Sequence, residues 1–183
     1  MHFPVKVQNI EPAGTVSVVS PYDGAVVGSI DTVGFKGIEK ALSIAAALYR
    51  KRSSWLSAQQ RATILDRAAT LMEARSGQLI ALAVAEGGKP YQDTKVELAR
   101  AIDSIRICRE CLRSQHGVEI PMQLNAASMH KLAFTHREPI GPVIAISAFN
   151  HPINLIFRYK SRSRSRNKYF KFKIPDFLID NIK

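Results

Sequence analysis

Three stretches of the sequence carry residue types that could do chemistry: the pair Cys108 and Cys111, the glycine-rich segment 87–90, and the polar residues that follow 142–146. A CxxC pair binds zinc only when further ligands complete a set of four, and it acts in redox exchange within a βαβ unit. Cys108 instead falls on the apolar stripe of a predicted helix, so we interpret it as a small buried hydrophobe. The five histidines have no ligand spacing. No metal site is predicted.

The segment Gly87-Gly88-Lys89-Pro90 shares its glycines and lysine with phosphate-binding loops. Such a loop has the pattern GxxxxGK followed by Ser or Thr, and it comes directly after a strand. Here the segment follows a predicted helix and ends in proline. Gly followed by Pro is a helix stop signal, so we predict a helix end and a turn.

The stretch from residue 142 to 154 is the most informative for function. Residues 142–146 form a short apolar run, which predicts a strand covered on both faces, as in a parallel sheet. Asn150 lies just beyond its carboxyl end, where ligands bind in open α/β sheets. An Asn amide there can stabilise an oxyanion on a substrate carbonyl. Asn before an x-Pro turn is also ordinary loop chemistry, so the residues alone leave both interpretations open.

The elements that must position these residues follow from the hydrophobic periodicity. The turn residues Pro21 to Gly24 lie between valine-rich segments and predict a β-hairpin. Ser57 and Gln60 match a capping box at the start of a helix. The fold class is α/β, the beginning of a doubly wound domain. The predicted helices cover about 37–50, 58–75, 79–86 and 92–114, and the predicted strands cover 131–137 and 142–146.

Composition limits the class of protein. The chain has 183 residues, 46% hydrophobic and 22% charged, which predicts about one globular domain and excludes general disorder. No apolar run is long enough to cross a bilayer, and the N-terminus lacks the pattern of a secretory signal. Two cysteines cannot build a disulfide framework. We therefore expect a soluble cytoplasmic protein without a membrane partner.

The net charge of +11 is unevenly distributed. Residues 1–155 hold 17 Lys/Arg against 13 Asp/Glu, whereas residues 156–183 hold 9 against 2. We therefore divide the chain into a body, 1–155, and a basic low-complexity tail, 156–183. The tail has two interpretations: it binds nucleic-acid phosphates, or it is an out-of-frame, intron-derived or gene-fragment sequence.

Four segments resemble, in order and spacing, motifs of one enzyme superfamily. Glu138 to Asn154 contains Ala-Phe-Asn-His-Pro, which is similar to the motif Pro-Phe-Asn or Pro-Trp-Asn before x-Pro in NAD(P)-dependent aldehyde dehydrogenases. Glu86 to Pro90 with Glu97 resembles the signature E-x-GKP…E of that superfamily. Two earlier segments agree as well, 20–28 with "NPxxG…G" and 55–65 with "W…R…L". The resemblance covers about residues 14 to 155, or roughly the first third of such an enzyme.

The resemblance implies an incomplete N-terminal part of a cofactor-binding domain, with a β-hairpin, several helices and the first parallel strand. By resemblance, Asn150 helps to hold the oxyanion of the thiohemiacetal, and Ile146, Ser147, Ala148 and Phe149 line NAD or NADP. The parent enzyme would oxidise an aldehyde to a carboxylate. Its nucleophilic Cys and general-base Glu belong downstream of the matching segments, so we expect the chain alone to be inactive.

Two other classes of function remain at this stage. One is a small basic nucleic-acid-binding protein, supported by the tail. The other is an interaction module that associates with full-length dehydrogenase subunits, or with itself as a homo-oligomer, through the hairpin.

Overall fold

The structure, a computed structural model, describes residues 1–5, 9–146 and 148–157. The basic tail beyond residue 157 lies outside the described residues, and so does Ser147. A three-stranded sheet comes first: β1 (His2–Phe3), β2 (Gly14–Val19) and β3 (Val26–Thr32). Its order is β1-β3-β2, with β1 parallel and β2 antiparallel to β3.

The predicted hairpin is confirmed as β2 and β3, and its turn is built by side chains as well as backbone. The carboxylate of Asp23 accepts a hydrogen bond from the amide of Ala25 at 3.1 Å. Gly24 has φ of 70°, a left-handed conformation that favours glycine. The register shifts between Val18 and Val19, next to the turn.

Four helices follow, close to their predicted bounds: α1 (Phe35–Arg50), α2 (Ala58–Ala74), α3 (Ser76–Gly87) and α4 (Tyr91–Glu110). The predicted capping box at the start of α2 is confirmed. The Ser57 hydroxyl accepts from the amide of Gln60 at 3.1 Å, and the Gln60 side chain accepts from the amide of Ser57 at 2.9 Å. These bonds satisfy two backbone donors that a helix end would otherwise leave unpaired. Helices with a sheet that includes a parallel pair give the mixed α/β class that the sequence predicts.

The core lies between α2, α3 and α4, each of which contributes one apolar stripe. Ile153 and Phe157, on a helical segment over residues 152–157, pack on the same core. Cys108 is buried among these residues, as predicted. Helix α1 is different, because none of its residues is buried. The buried apolar residues of the three helices are Leu65, Ala69, Met72, Leu79, Ile80, Ala83, Leu98, Ala101, Ile102, Ile105 and Cys108.

Between α4 and residue 151, the described residues have little regular structure. The strand predicted over 131–137 shortens to β5 (Ala133–Phe134), which pairs with β4 (Glu119–Ile120). The prediction of a buried strand over 142–146 is wrong. These residues have no regular secondary structure, and Ile144 and Ile146 are exposed. A strand needs a neighbour for its backbone hydrogen bonds, and the described part of the chain pairs none with this segment.

Among the described residues, no helix is both long and apolar enough to cross a bilayer.

Candidate functional site

A buried carboxylate joins the two motifs that sequence analysis singled out. Glu97, on α4, is only 2% exposed. Its Oε1 atom accepts hydrogen bonds from the amides of Ile153 at 2.9 Å and Asn154 at 3.0 Å. Its Oε2 atom lies 2.5 Å from Nζ of Lys89. Glu97 therefore connects the glycine-rich segment to the segment that carries Asn150. Ile153, in that second segment, lies 56 residues beyond Glu97 in the chain.

The helix stop before Lys89 puts that lysine in reach of Glu97. Gly88 has φ of 62° and ends α3, and Pro90 is the N-cap of α4. This is the helix end and turn that the sequence predicts. The turn also touches the β-hairpin, because a Cβ atom on Gly88 would lie only 2.7 Å from Cγ of Pro21. The hairpin, the glycine-rich turn and α4 thus meet at one place.

Helix geometry explains why a carboxylate is tolerated in this buried position. The amides of Ile153 and Asn154 lie in the first turn of the segment 152–157, where backbone donors have no partner within the helix. A negative charge is favourable at this end of a helix. The ammonium group of Lys89 supplies the balancing positive charge. Glu97 therefore acts as a helix cap that comes from another element.

We call Glu97, Lys89, His151 and the amides of Ile153 and Asn154 the Glu97 cluster. The electrostatics of this cluster favour the ionised form of Glu97. Burial alone would raise the pKa of its carboxyl, but the hydrogen bonds and charge of Lys89, together with the amides of Asn154 and Ile153, outweigh burial. The pKa of Glu97 therefore lies below its ordinary value. His151 is close to both charges, since its Nδ1 atom lies 3.4 Å from Oε2 of Glu97 and 3.2 Å from Nζ of Lys89.

Asn150 lies on a bend directly before this cluster and its side chain is exposed. Three of the predicted cofactor-lining residues, Ile146, Ala148 and Phe149, are exposed as well, and the fourth, Ser147, lies outside the described residues. The structure thus brings Asn150 next to the Glu97 cluster in sequence and in space. It leaves Ile146, Ala148 and Phe149, which the sequence predicts to line the cofactor, on the surface rather than at the end of a strand.

Sequence reasoning assigned no site role to Lys89, Glu97 or His151. A signal for Glu97 was present, because it falls within the buried stripe of α4 at helical spacing from Ala101. A carboxylate in such a stripe is rarely buried without a partner. The partners could not be read from the sequence, since they come from a turn and from a segment more than 50 residues away.

An apolar groove of about 210 Å³ lies beside the cluster, between the three-stranded sheet, α3 and the segment 152–157. It is lined by Phe3, Val18, Val27, Gly28, Ile30, Leu79, Leu82, Ala83, Glu86, Pro152, Ile153, Ile156 and Phe157.

The fold, the converging motifs and the buried carboxylate agree with what comparison with known proteins finds. Residues 9–160 match the aldehyde dehydrogenase family, and the chain belongs to that family. The family match begins before and ends after the range of about 14 to 155 over which the sequence resembles the motifs. The predicted resemblance is confirmed.

Individual relatives agree with the family assignment. An aldehyde-dehydrogenase-like protein of Sinorhizobium fredii is 28% identical over 156 residues, which is 84% of this chain and 30% of that protein. Aspartate-semialdehyde dehydrogenase 1 of Pseudomonas canavaninivorans is 26% identical over 141 residues, 77% of this chain and 30% of the relative. The chain therefore spans less than a third of the length of these curated relatives.

Solved structures share the fold. Aldehyde dehydrogenase 21 of Physcomitrella patens, solved with succinate, superposes with a TM-score of 0.82 at 22% identity, over 92% of this chain and 36% of that one. An NADP-dependent glyceraldehyde-3-phosphate dehydrogenase of Bacillus halodurans, solved with NADP, gives a TM-score of 0.72 at 27% identity, over 79% of this chain and 30% of the other. The predicted fold class, a part of an aldehyde-dehydrogenase-like domain, is confirmed.

Proposed function

We propose that this chain supplies the N-terminal segment of an enzyme that oxidises an aldehyde to a carboxylate with NAD(P)+. Asn150 is its contribution to catalysis, and Ile146, Ser147, Ala148 and Phe149 are its contribution to cofactor binding. The nucleophile and the general base come from the downstream part of such an enzyme. The chain alone is therefore inactive in this proposal.

The observation that carries the proposal is the Glu97 cluster. Glu97 binds the two amides that follow the bend at Asn150, and Lys89 holds the carboxylate in place. Two segments that resemble one enzyme family in sequence are thus in direct contact, which an accidental resemblance would not require. The cluster anchors the backbone three and four residues beyond Asn150, and Asn150 itself is exposed.

The roles of the residues follow from their chemistry. Attack of a thiolate on an aldehyde carbonyl places negative charge on the oxygen, and the Asn150 amide donates a hydrogen bond to that oxygen. Such a donor stabilises the charge without giving up a proton. The exposed apolar and small side chains of Ile146, Ala148 and Phe149 suit contact with the planar ring of a nicotinamide. The nicotinamide dinucleotide, when bound, accepts a hydride from the substrate.

The test is a chimera in which residues 1–157 of this chain replace the matching segment of the Bacillus halodurans enzyme. Purified chimera should reduce NADP+ with glyceraldehyde 3-phosphate, followed by NADPH absorbance, whereas the chain alone should not. The Asn150→Ala chimera should lose about 10²–10³-fold in kcat, as expected for one oxyanion donor. A folded but inactive chimera, or full activity in the Asn150→Ala variant, would contradict the proposal.

We also propose a reducing, cytoplasmic location. The two cysteines of the chain, Cys108 and Cys111, are both free. This agrees with a compartment in which thiols stay reduced.

A further inference from the structure

His151, the residue directly after Asn150, is held through its backbone at the start of the helical segment 152–157. Its carbonyl accepts a hydrogen bond from the amide of Leu155 at 3.0 Å. Pro152 follows it, and a proline disfavours the helical conformation in the residue before it. The backbone of His151 is therefore restricted on the side that leads away from Asn150.

The ring of His151 is held by the charged pair of the Glu97 cluster. Its Nδ1 atom lies 3.2 Å from Nζ of Lys89 and 3.4 Å from Oε2 of Glu97. An ammonium group only donates hydrogen bonds, so we assign Nδ1 as the acceptor and place the ring proton on Nε2. The side chains of Lys89 and Glu97 are only 17% and 1% exposed, so the ring is bound to a group that burial keeps in place.

The bond between Lys89 and His151 is not needed to complete the helix start or to balance charge. The amides of the second and third residues of the segment, Ile153 and Asn154, already donate to Glu97. Lys89 already pairs with the Glu97 carboxylate. What the ring bond adds is a second point of attachment for His151, on the residue that shares a peptide bond with Asn150.

We propose that His151 is a positioning residue for Asn150, with its ring held by Lys89. The inference rests on the proposed function, in which the Asn150 amide donates to an oxyanion. Such a donor works at about 2.7–3.1 Å from the oxygen. A displacement of about 1 Å is enough to lower the rate by up to about 10²-fold. His151 does not touch the substrate and acts only through the backbone of Asn150.

The first experiment measures backbone order in the full chain from the magnetic relaxation of the amide nitrogens. The order parameters of Asn150 and His151 should be about 0.85, as in rigid backbone, and should fall toward about 0.6 in His151→Leu. His151→Asn should keep the natural values, because an Asn oxygen can take the place of Nδ1 and accept from Lys89. His136→Leu, at an exposed histidine outside the cluster, is the matched control. Unchanged order in His151→Leu would overturn the proposal.

The second experiment places the same changes in the chimera described under the proposed function. His151→Leu should lower kcat by about tenfold to 10²-fold. The KM values for glyceraldehyde 3-phosphate and NADP+ should stay unchanged, because the donor acts only when charge develops on the oxygen. His151→Asn should restore most of kcat, and His136→Leu should leave it unaltered. Equal losses of kcat in His151→Leu and His151→Asn would show that the acceptor is irrelevant and would overturn the proposal.

The two experiments separate this inference from the proposed function. An active chimera that keeps its full kcat in His151→Leu would retain the dehydrogenase role and overturn the positioning role of His151. A folded but inactive chimera would contradict the dehydrogenase role. In that case, loss of order at Asn150 in His151→Leu and its recovery in His151→Asn would still support His151 as the residue that positions Asn150.

Discussion

The hydroxyl of Tyr49, at the end of α1, donates a hydrogen bond to the carbonyl of Pro139 at 3.0 Å. The two residues are 90 positions apart in the chain. Pro139 directly precedes the segment that leads to Asn150. This contact therefore attaches the site segment to α1 at one end, as Glu97 attaches it to α4 at the other.

Removing this hydroxyl should loosen the attachment. Tyr49→Phe keeps the ring, which lies 5.6 Å from that of Trp55 between centroids, and removes only the hydrogen bond. We expect a loss of about 1 kcal/mol in the free energy of unfolding, measured by urea denaturation. Tyr22→Phe is the control, because Tyr22 is exposed and its ring hydroxyl faces water. Equal stability of the two variants would contradict the role assigned to Tyr49.

Neutralising Glu97 should lower the free energy of unfolding by more than Tyr49→Phe does. In Glu97→Gln the side chain can still accept from the two amides, but Lys89 loses the negative charge that balances it. Breaking one side of a buried ion pair costs about 3–5 kcal/mol. The double variant with Lys89→Met should recover part of that loss, because no unpaired charge then remains. Additive losses in the double-mutant cycle, measured by urea denaturation, would show that the two residues do not interact.

Acid should destabilise the protein through the same carboxylate. The pKa of Glu97 is lower in the folded chain than its ordinary value, so folding favours the ionised form. The stabilisation is fully present above the ordinary pKa of Glu and disappears as the pH falls through the lower folded value. Unfolding free energies measured from neutral to acidic pH should therefore fall less steeply in Glu97→Gln than in the natural chain.

The control for acid sensitivity is Glu39→Gln, at an exposed position of α1. This change removes a carboxylate without touching the cluster and should leave the acid dependence unaltered. An identical acid dependence in the natural chain and in Glu97→Gln would contradict the assignment.

A methyl group at Gly88 should disturb the meeting point of the hairpin and the glycine-rich turn. Gly88 combines positive φ with the close approach of Pro21. Gly88→Ala should destabilise the chain by about 1–2 kcal/mol from the left-handed backbone alone, before the contact with Pro21 is counted. Gly77→Ala, in α3, has open space around its Cβ position and should be neutral or stabilising. Thermal unfolding of the two variants gives the comparison.

The two cysteines should react at very different rates. Cys111 is exposed and Cys108 is buried in the core. A thiol reagent such as dithionitrobenzoate should titrate one thiol rapidly in the native chain and the second only on addition of denaturant. Cys111→Ser should abolish the rapid phase. Rapid reaction of both thiols would contradict the packing of α4.

Local signals predicted most of the fold. The Asp23–Gly24 turn, the Ser57 capping box and the stop at Gly88 each act through contacts within a few residues, so their spacing in the sequence was sufficient. The burial of Cys108 on α4 was predicted correctly for the same reason, since helical periodicity alone sets which face is buried.

Long-range partners limited what could be predicted about the site. The run over 142–146 has the composition of a buried strand, but composition does not provide the neighbouring strand that pairing requires. Glu97 could be recognised as a carboxylate in an apolar stripe, whereas its bonds to Ile153 and Asn154 depend on tertiary structure. Asn150 was selected from its motif, and the structure adds the bonds of Glu97 to the amides three and four residues further along the chain.

The span between Glu97 and Ile153 has a consequence for the kinetics of folding. Neighbouring helices α2, α3 and α4 bring together residues that are close in sequence, so their core can form early. The bonds of Glu97 to Ile153 and Asn154 close a loop of more than 50 residues, and loop closure of that length carries an entropic cost. The site should therefore assemble after the transition state. Substitutions at Glu97 should then accelerate unfolding and leave the folding rate almost unchanged.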